Sequence, residues 1–219
     1  MADPGPDLSL WKQNLGSVPE WVWGRSDLET LVLADNGLTV VSDRIGGLAR
    51  LRMLDLGHNR LTTLPDALGD LAGLSGFLYL HDNALSALPP SLGRLKRLRY
   101  LNLGENEFDA LPLAVTEMTG LLELRLNDNA LTALPPEIAG LSRLRELHLR
   151  NNRLTALPAE IGDMAELRQI DLRGNPLTSL PDSLAALPRL EKLDVRWVST
   201  LPPQPWFAEL ERRGCAVYR

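Results

Sequence analysis

The sequence holds a single cysteine, Cys215, so no disulfide can form within the chain. No apolar run is long enough to span a bilayer, and the opening residues MADPGPDLSLWKQ carry neither the basic nor the apolar segment of a secretory signal. Insertion into a membrane and export by that route are therefore not expected. Aromatic residues make up 5% of the chain. A net charge of −5 disfavours nucleic acid or an anionic membrane as the main partner. The chemical motifs are missing too: there is no G-x-S-x-G, P-loop, H-E-x-x-H or C-x-x-C. No catalytic, cofactor-binding or metal-binding residue is assigned, no cofactor is expected, and the chain is read as not an enzyme.

What is present is a period. The stretch Leu144–Glu166, LRELHLRNNRLTALPAEIGDMAE, returns when shifted by 23 residues in either direction. Such a period is the mark of a solenoid. In Leu147-x-Leu149 alternate side chains share a face, so each coil supplies one short strand with Glu146, His148 and Arg150 pointing outward. Asn152 ends the strand, where an inward amide can satisfy turn backbone in its own coil and the next. Its counterparts Asn36, Asn59, Asn83, Asn106, Asn129 and Asn175 complete a structural ladder. Leu157-Pro158 begins the return limb, and Ala159–Ala165 is either a short helix or a 3₁₀ turn.

The pattern LxxLxLxxNxLxxLPxxLGxLxx resembles the leucine-rich repeats, and its 23-residue LPxxLG form is similar to the intracellular Ras-associated group and its bacterial relatives. The resemblance implies an α/β fold, a right-handed horseshoe with a parallel β-sheet on the concave face and short helical, 3₁₀ or irregular segments on the convex face. Extracellular members usually carry disulfide caps, so the lone Cys215 points to the cytoplasm.

Four regions follow in order: a disordered tail over 1–7, an N-terminal capping repeat over 8–27, the solenoid over 28–198 and a C-terminal cap over 199–219 made of a short helix and an edge strand. Gln13 occupies the asparagine slot of the first coil. The step from Asn59 to Asn83 is 24 residues, and the extra residue in Leu74–Phe77 gives either a small bulge or a wider loop before the strand. All five tryptophans lie in the two end regions, where they could cover the leucine row or meet a second copy; a monomer is favoured over a homodimer.

The outward strand positions carry the candidate binding residues. Met53, Asp55, Phe77, Tyr79, His81, Tyr100 and Asn102 form an aromatic-bearing half, and Arg125, His148, Arg150, Arg173 and Arg196 a charged half. Clustered aromatics are typical of binding hot spots, although they could simply pack on one another. The arginine column beside Asp171, Asp194 and Glu146 is either a self-satisfied salt ladder or a charged dock. Asp35, Asp82, Glu105 and Asp128 make an acidic rim at one edge; Arg50, Arg52, Arg97, Arg99, Arg143, Arg145 and Arg168 make a basic row at the other. The expected function is a protein-interaction module or scaffold whose protein partner the sequence does not name. Alternatives are a regulator of a Ras-like GTPase or kinase pathway, and a metal-dependent factor using His58, His81 and the nearby acids.

Overall fold

The computed structural model describes residues 5–219. Ten strands of three residues appear in chain order: β1 (Asp7–Ser9), β2 (Thr30–Val32), β3 (Met53–Asp55), β4 (Phe77–Tyr79), β5 (Tyr100–Asn102), β6 (Glu123–Arg125), β7 (Glu146–His148), β8 (Gln169–Asp171), β9 (Lys192–Asp194) and β10 (Ala216–Tyr218). They form one parallel sheet whose spatial order is the sequence order. The middle residue of each repeat strand points inward, so Leu54 stands against Leu78 and Leu124 against Leu147, and this row is fully buried. The first and third residues of each strand point outward, as period-2 geometry requires.

A parallel strand needs a crossover to reach its neighbour. Here the crossover starts with a sharp turn in which the residue before each ladder asparagine adopts a left-handed backbone: Asp35, His58, Asp82, Glu105, Asp128 and Asn151 have φ between 51° and 57°, and Gly174 has 69°. Such conformations cost on the order of 1–3 kcal/mol at non-glycine residues and persist where surrounding bonds dictate them. The ladder supplies those bonds. The Asn152 amide donates to the Leu149 carbonyl in its own coil and to the Leu126 carbonyl in the preceding one, both at 2.9 Å, while its oxygen accepts from the Leu131 N–H at 3.0 Å. Each amide thus bridges to the preceding coil, not to the next as the sequence reading has it, because the strand carbonyls it meets belong to the coil already laid down. Gln13 does not join: its side chain is exposed and its backbone N–H is bound by Asn36 at 2.9 Å.

The return limb opens on proline. Pro65, Pro89, Pro135, Pro158 and Pro181 sit at φ between −62° and −73° immediately before five-residue 3₁₀ turns such as Ala159–Asp163, a conformation the pyrrolidine ring presets. One coil has a short helix instead, α1 (Leu113–Thr116). Beyond the last full coil come α2 (Phe207–Arg212) and β10, with Trp206, Phe207, Leu210 and Cys215 buried against the end of the leucine stack.

Two expectations need correction, on the tail and the tryptophans, and the choice between bulge and loop is decided. Of the tail expected over 1–7, residues 1–4 lie outside the described residues, but Pro6 accepts hydrogen bonds from Glu29 and Thr30 and Asp7 is already paired in β1. The extra residue near Gly76 leaves the sheet unbulged: Met53 faces Phe77 in unbroken register, and Gly76 N–H bonds Arg52 at 2.9 Å, so the surplus is absorbed in the loop before β4. Of the tryptophans, Trp23 and Trp206 cover the core, whereas Trp11, Trp21 and Trp197 are exposed. Among the described residues no helix is long and apolar enough to cross a membrane.

Candidate functional site

The sheet's outer face is a grid, with strands ~4.8 Å apart and two outward side chains on each, continued by a third just past the strand. At the inner end of its N-terminal half β4 and β5 bring together Phe77, Tyr79 and Tyr100, with ring centroids 5.0 to 6.0 Å apart. The rings are unequal. Phe77 is 46% exposed, Tyr79 half-buried, and Tyr100 only 9% exposed beneath the guanidinium of Arg125, 5.7 Å from its ring. Burial pushes the Tyr100 phenol up to about 12 and the Tyr79 phenol up as well, the latter helped by the charge of Asp55. Tyr100 is therefore a supporting residue, and Phe77 and Tyr79 are the faces a partner could meet. Met53 lies beside Phe77 in register and is half-buried.

His81 extends the cluster toward the rim. Its ring lies where a side chain on Gly57 would stand, since a Cβ there would come within 2.5 Å of it. His81 Nε2 is 3.2 Å from His58 Nε2, and His58 Nδ1 is 2.6 Å from the Asp82 carboxylate. Burial, then the neighbouring His58, lowers the pKa of His81. The two histidines and Asp82 form a connected chain; the described residues that could converge on a metal as a set of three are instead Glu123, Glu146 and His148. There Arg125 Nε already bonds Glu123 at 2.6 Å, and His148 Nε2 is 3.3 Å from Glu146.

Several residues expected to face a partner serve the backbone. Asp55 accepts from the Gly57 N–H at 2.9 Å, Asn102 from Gly104 at 3.0 Å, Asp171 from Arg173 at 3.2 Å and Asp194 from Arg196 at 3.3 Å. These are Asx turns that ease the chain out of the strand. The signal was present in the sequence as Asp or Asn at the third strand position, two residues ahead of the bonded N–H.

The charged half is largely paired within itself. Arg173 forks onto Asp171 at 2.8 and 2.5 Å, Arg196 onto Asp194 at 2.9 and 2.7 Å, and Arg150 bonds Asp128 at 3.0 Å. Burial pushes the Asp194 carboxyl up, but the bonds from Arg196 and the charges of Arg196 and Arg173 outweigh it and hold it below the usual carboxylate range. Two aromatics missed by the sequence reading join this half. Trp197, 70% exposed, lies between Arg173 and Arg196 at 5.6 and 5.8 Å, and Tyr218 on β10 meets Arg196 at 5.2 Å and Lys192 at 5.7 Å. Trp197 follows the last outward arginine directly, which was its only sequence signal. Cys215 is buried, and burial pushes its thiol up, away from nucleophilic character.

At the basic edge, Arg52, Lys96, Arg97, Arg99 and Arg143 ring a pocket of about 530 Å³ with Ser75, Gly76, Gly120 and Phe77.

The family model described as "Leucine rich repeat" matches residues 8–76 and 142–197, and the one described as "Leucine Rich repeats (2 copies)" matches 119–160. No curated protein sequence matches significantly. Among solved structures, a leucine-rich repeat protein of Leptospira interrogans is similar at 26% identity and TM-score 0.77, covering 98% of this chain and 66% of its own. The plant peptide hormone receptor RGFR1 in complex with RGF2 is similar at 32% identity and TM-score 0.71, covering 81% of this chain and 30% of the receptor. The ectodomain of the receptor kinase GASSHO1/SCHENGEN3 from Arabidopsis thaliana, in complex with CASPARIAN STRIP INTEGRITY FACTOR 2, is similar at 30% identity and TM-score 0.69, covering 82% and 22%. The chain thus spans 66% of the first of these and less than a third of the two receptors.

Proposed function

The chain belongs to the leucine-rich repeat family, and on that premise we propose that it is a non-enzymatic interaction module that binds a protein partner on the concave face of its sheet. One observation carries this reading. The interior of every coil is leucine or a near equivalent, whereas the outer face changes from strand to strand and places Phe77 and Tyr79 side by side and partly exposed, with Met53 next to them. Exposed aromatic rings on a rigid support are the usual anchors of protein interfaces. Structural neighbours solved as receptor–peptide complexes support the class of partner. Residues 8–27 and 199–219 act as caps of the stack, and the protein works as a cytoplasmic monomer, a setting consistent with its single buried cysteine.

The test is capture from native lysate with the wild-type chain and with Phe77→Ala/Tyr79→Ala, followed by mass spectrometry. Loss of the specific partners is expected; an unchanged set from the double variant overturns the concave-patch reading. Tyr100 is left intact because its burial would confound binding with folding.

A narrower reading makes the partner a Ras-like GTPase or a kinase-pathway component, supported by the likeness of the LPxxLG repeats to the Ras-associated group. Absence of any GTPase or kinase from the captured set counts against it. A metal-dependent reading would use His58 and His81, whose Nε2 atoms are 3.2 Å apart; zinc uptake that disappears in His58→Ala/His81→Ala is what it requires.

A further inference from the structure

Three irregularities of an otherwise periodic chain meet at one place. The only 24-residue step in the ladder puts its extra residue in Leu74–Phe77, at the entry to β4, and Ser75 and Gly76 of that loop line the basic pocket. The pocket's lining holds five cations and no acid, in a chain whose net charge is −5. Two of the cations are occupied: Arg52 stands 3.7 Å from Glu29, and Lys96 donates to the Glu117 carbonyl at 2.7 Å. Arg97, Arg99 and Arg143 make no side-chain ion pair among the described residues, in contrast to the arginines of the sheet face, which are forked onto acids. Like charges held together without counter-charge repel one another, and the arrangement relaxes when an anion enters.

The pocket's floor is backbone brought close. A Cβ on Gly120 would lie 2.3 Å from the Lys96 carbonyl oxygen, so glycine there lets the two coils approach and leaves room above them. Its inner wall is Phe77, the exposed ring of the aromatic patch. The pocket and the patch are therefore one continuous surface, apolar toward the sheet and cationic toward the edge.

We propose that this pocket receives an acidic segment of the partner protein, with Asp or Glu carboxylates on Arg97, Arg99 and Arg143 and an adjoining apolar or aromatic side chain on Phe77 and Tyr79. The proposal rests on the concave-face reading above and names the chemistry of its partner. Arginine suits the role because its planar fork meets a carboxylate with two parallel N–H bonds. The 24-residue repeat then has a purpose: the surplus residue shapes the pocket wall while the sheet register stays intact.

The test uses a fluorescein-labelled peptide of one phenylalanine followed by four glutamates, a lysine-substituted counterpart and a version with phosphoserine in place of the glutamates. Fluorescence anisotropy is read on the full chain at low and moderate salt. The glutamate peptide is expected to bind, the lysine peptide not, with at least tenfold weaker binding in Arg97→Glu/Arg99→Glu and in Arg143→Glu. Arg153→Glu, a charge reversal away from the pocket, is expected to leave binding within twofold. Equal binding by the pocket variants overturns the proposal, as does an equal loss in the Arg153 variant, which would reduce the effect to net charge. Preference for the phosphoserine peptide overturns the carboxylate assignment. Lysate capture separates the two readings: partners lost from Phe77→Ala/Tyr79→Ala but kept by Arg97→Glu/Arg99→Glu leave the concave face standing and remove the acidic segment.

Discussion

Replacing Asn152 by alanine removes one side chain and strands one backbone group. The Leu131 N–H, bound at 3.0 Å, loses its partner, while the Leu126 and Leu149 carbonyls lose one of two amide donors and keep Asn129 at 3.1 Å and Asn175 at 2.9 Å. A buried polar group left unpaired costs roughly 1–3 kcal/mol, so the expected loss is about 2 kcal/mol. For a chain of this size each kcal/mol moves the midpoint by roughly 2–4 °C, which predicts a fall on the order of 5 °C in thermal unfolding followed by circular dichroism. Asn127→Ala supplies the control, since that amide sits on the outer face and, among the described residues, its side chain bonds Asp128 alone; a surface change of this kind is worth about 0.5 kcal/mol or less. Asn152→Asp sharpens the test. The carboxylate keeps the shape but turns a donor into an acceptor aimed at carbonyl oxygens, so it should be at least as damaging at neutral pH and recover partly in acid, where the protonated group donates again. Equal midpoints for Asn152→Ala and Asn127→Ala would refute the idea that the amide ladder holds the left-handed turns in place.

Two further outcomes follow from titrating groups. The Arg25 hydrogen bond holds the Asp27 carboxyl down to about 2, and Asp194 is also lowered, the Arg196 and Arg173 contacts outweighing burial. Carboxyls with depressed folded values contribute stability that is complete above the free value of about 4 and is lost as pH falls through the folded one, so acid unfolding should steepen below about pH 4 and Asp194→Asn should flatten that limb; a superimposable curve for the variant would exclude the Asp194–Arg196 fork as its source. With the Tyr100 phenol at about 12, absorbance at 295 nm should show tyrosine ionisation extending well above pH 10, and Tyr100→Phe should remove its latest part. Folding favours the protonated phenol, so stability should fall as pH rises beyond about 10.

Wherever the repeat is intact, the sequence alone placed side chains on the right face. The outward triplets such as Glu146, His148 and Arg150 and the inward pair Leu147 and Leu149 follow from period 2 and from comparison of siblings, and the sheet register agrees with them. What escaped is what one coil's sequence does not contain. Whether Tyr100 is exposed depends on Arg125 in the next coil lying over it, and whether the amide of Asn152 reaches forward or back depends on the handing of the stack. Asp55 and Asn102 stand among the candidate binding groups because a polar side chain at an outward position looks free until its Asx turn is seen. Trp197 and Tyr218 were missed because the ladder fails at Val198, so no sibling assigns them a face.

The two halves of the concave face differ in what a partner must undo to use them. Docking on the C-terminal half means competing with Arg173 on Asp171 and Arg196 on Asp194, forks already at hydrogen-bond distance, with the side chain of Asp194 buried beneath them. Truncating or displacing one member of such a pair leaves the other charge desolvated, a cost of several kcal/mol. Docking near β4 and β5 removes water from Phe77 and Tyr79 and brings counter-charge to Arg97, Arg99 and Arg143, which have no ion pair among the described residues, so both changes favour association. The same repeat thus yields a charged half that is complete in itself and an aromatic half that is not. A partner's largest gain lies where the fold leaves its own side chains unmatched, on the coils around the 24-residue step.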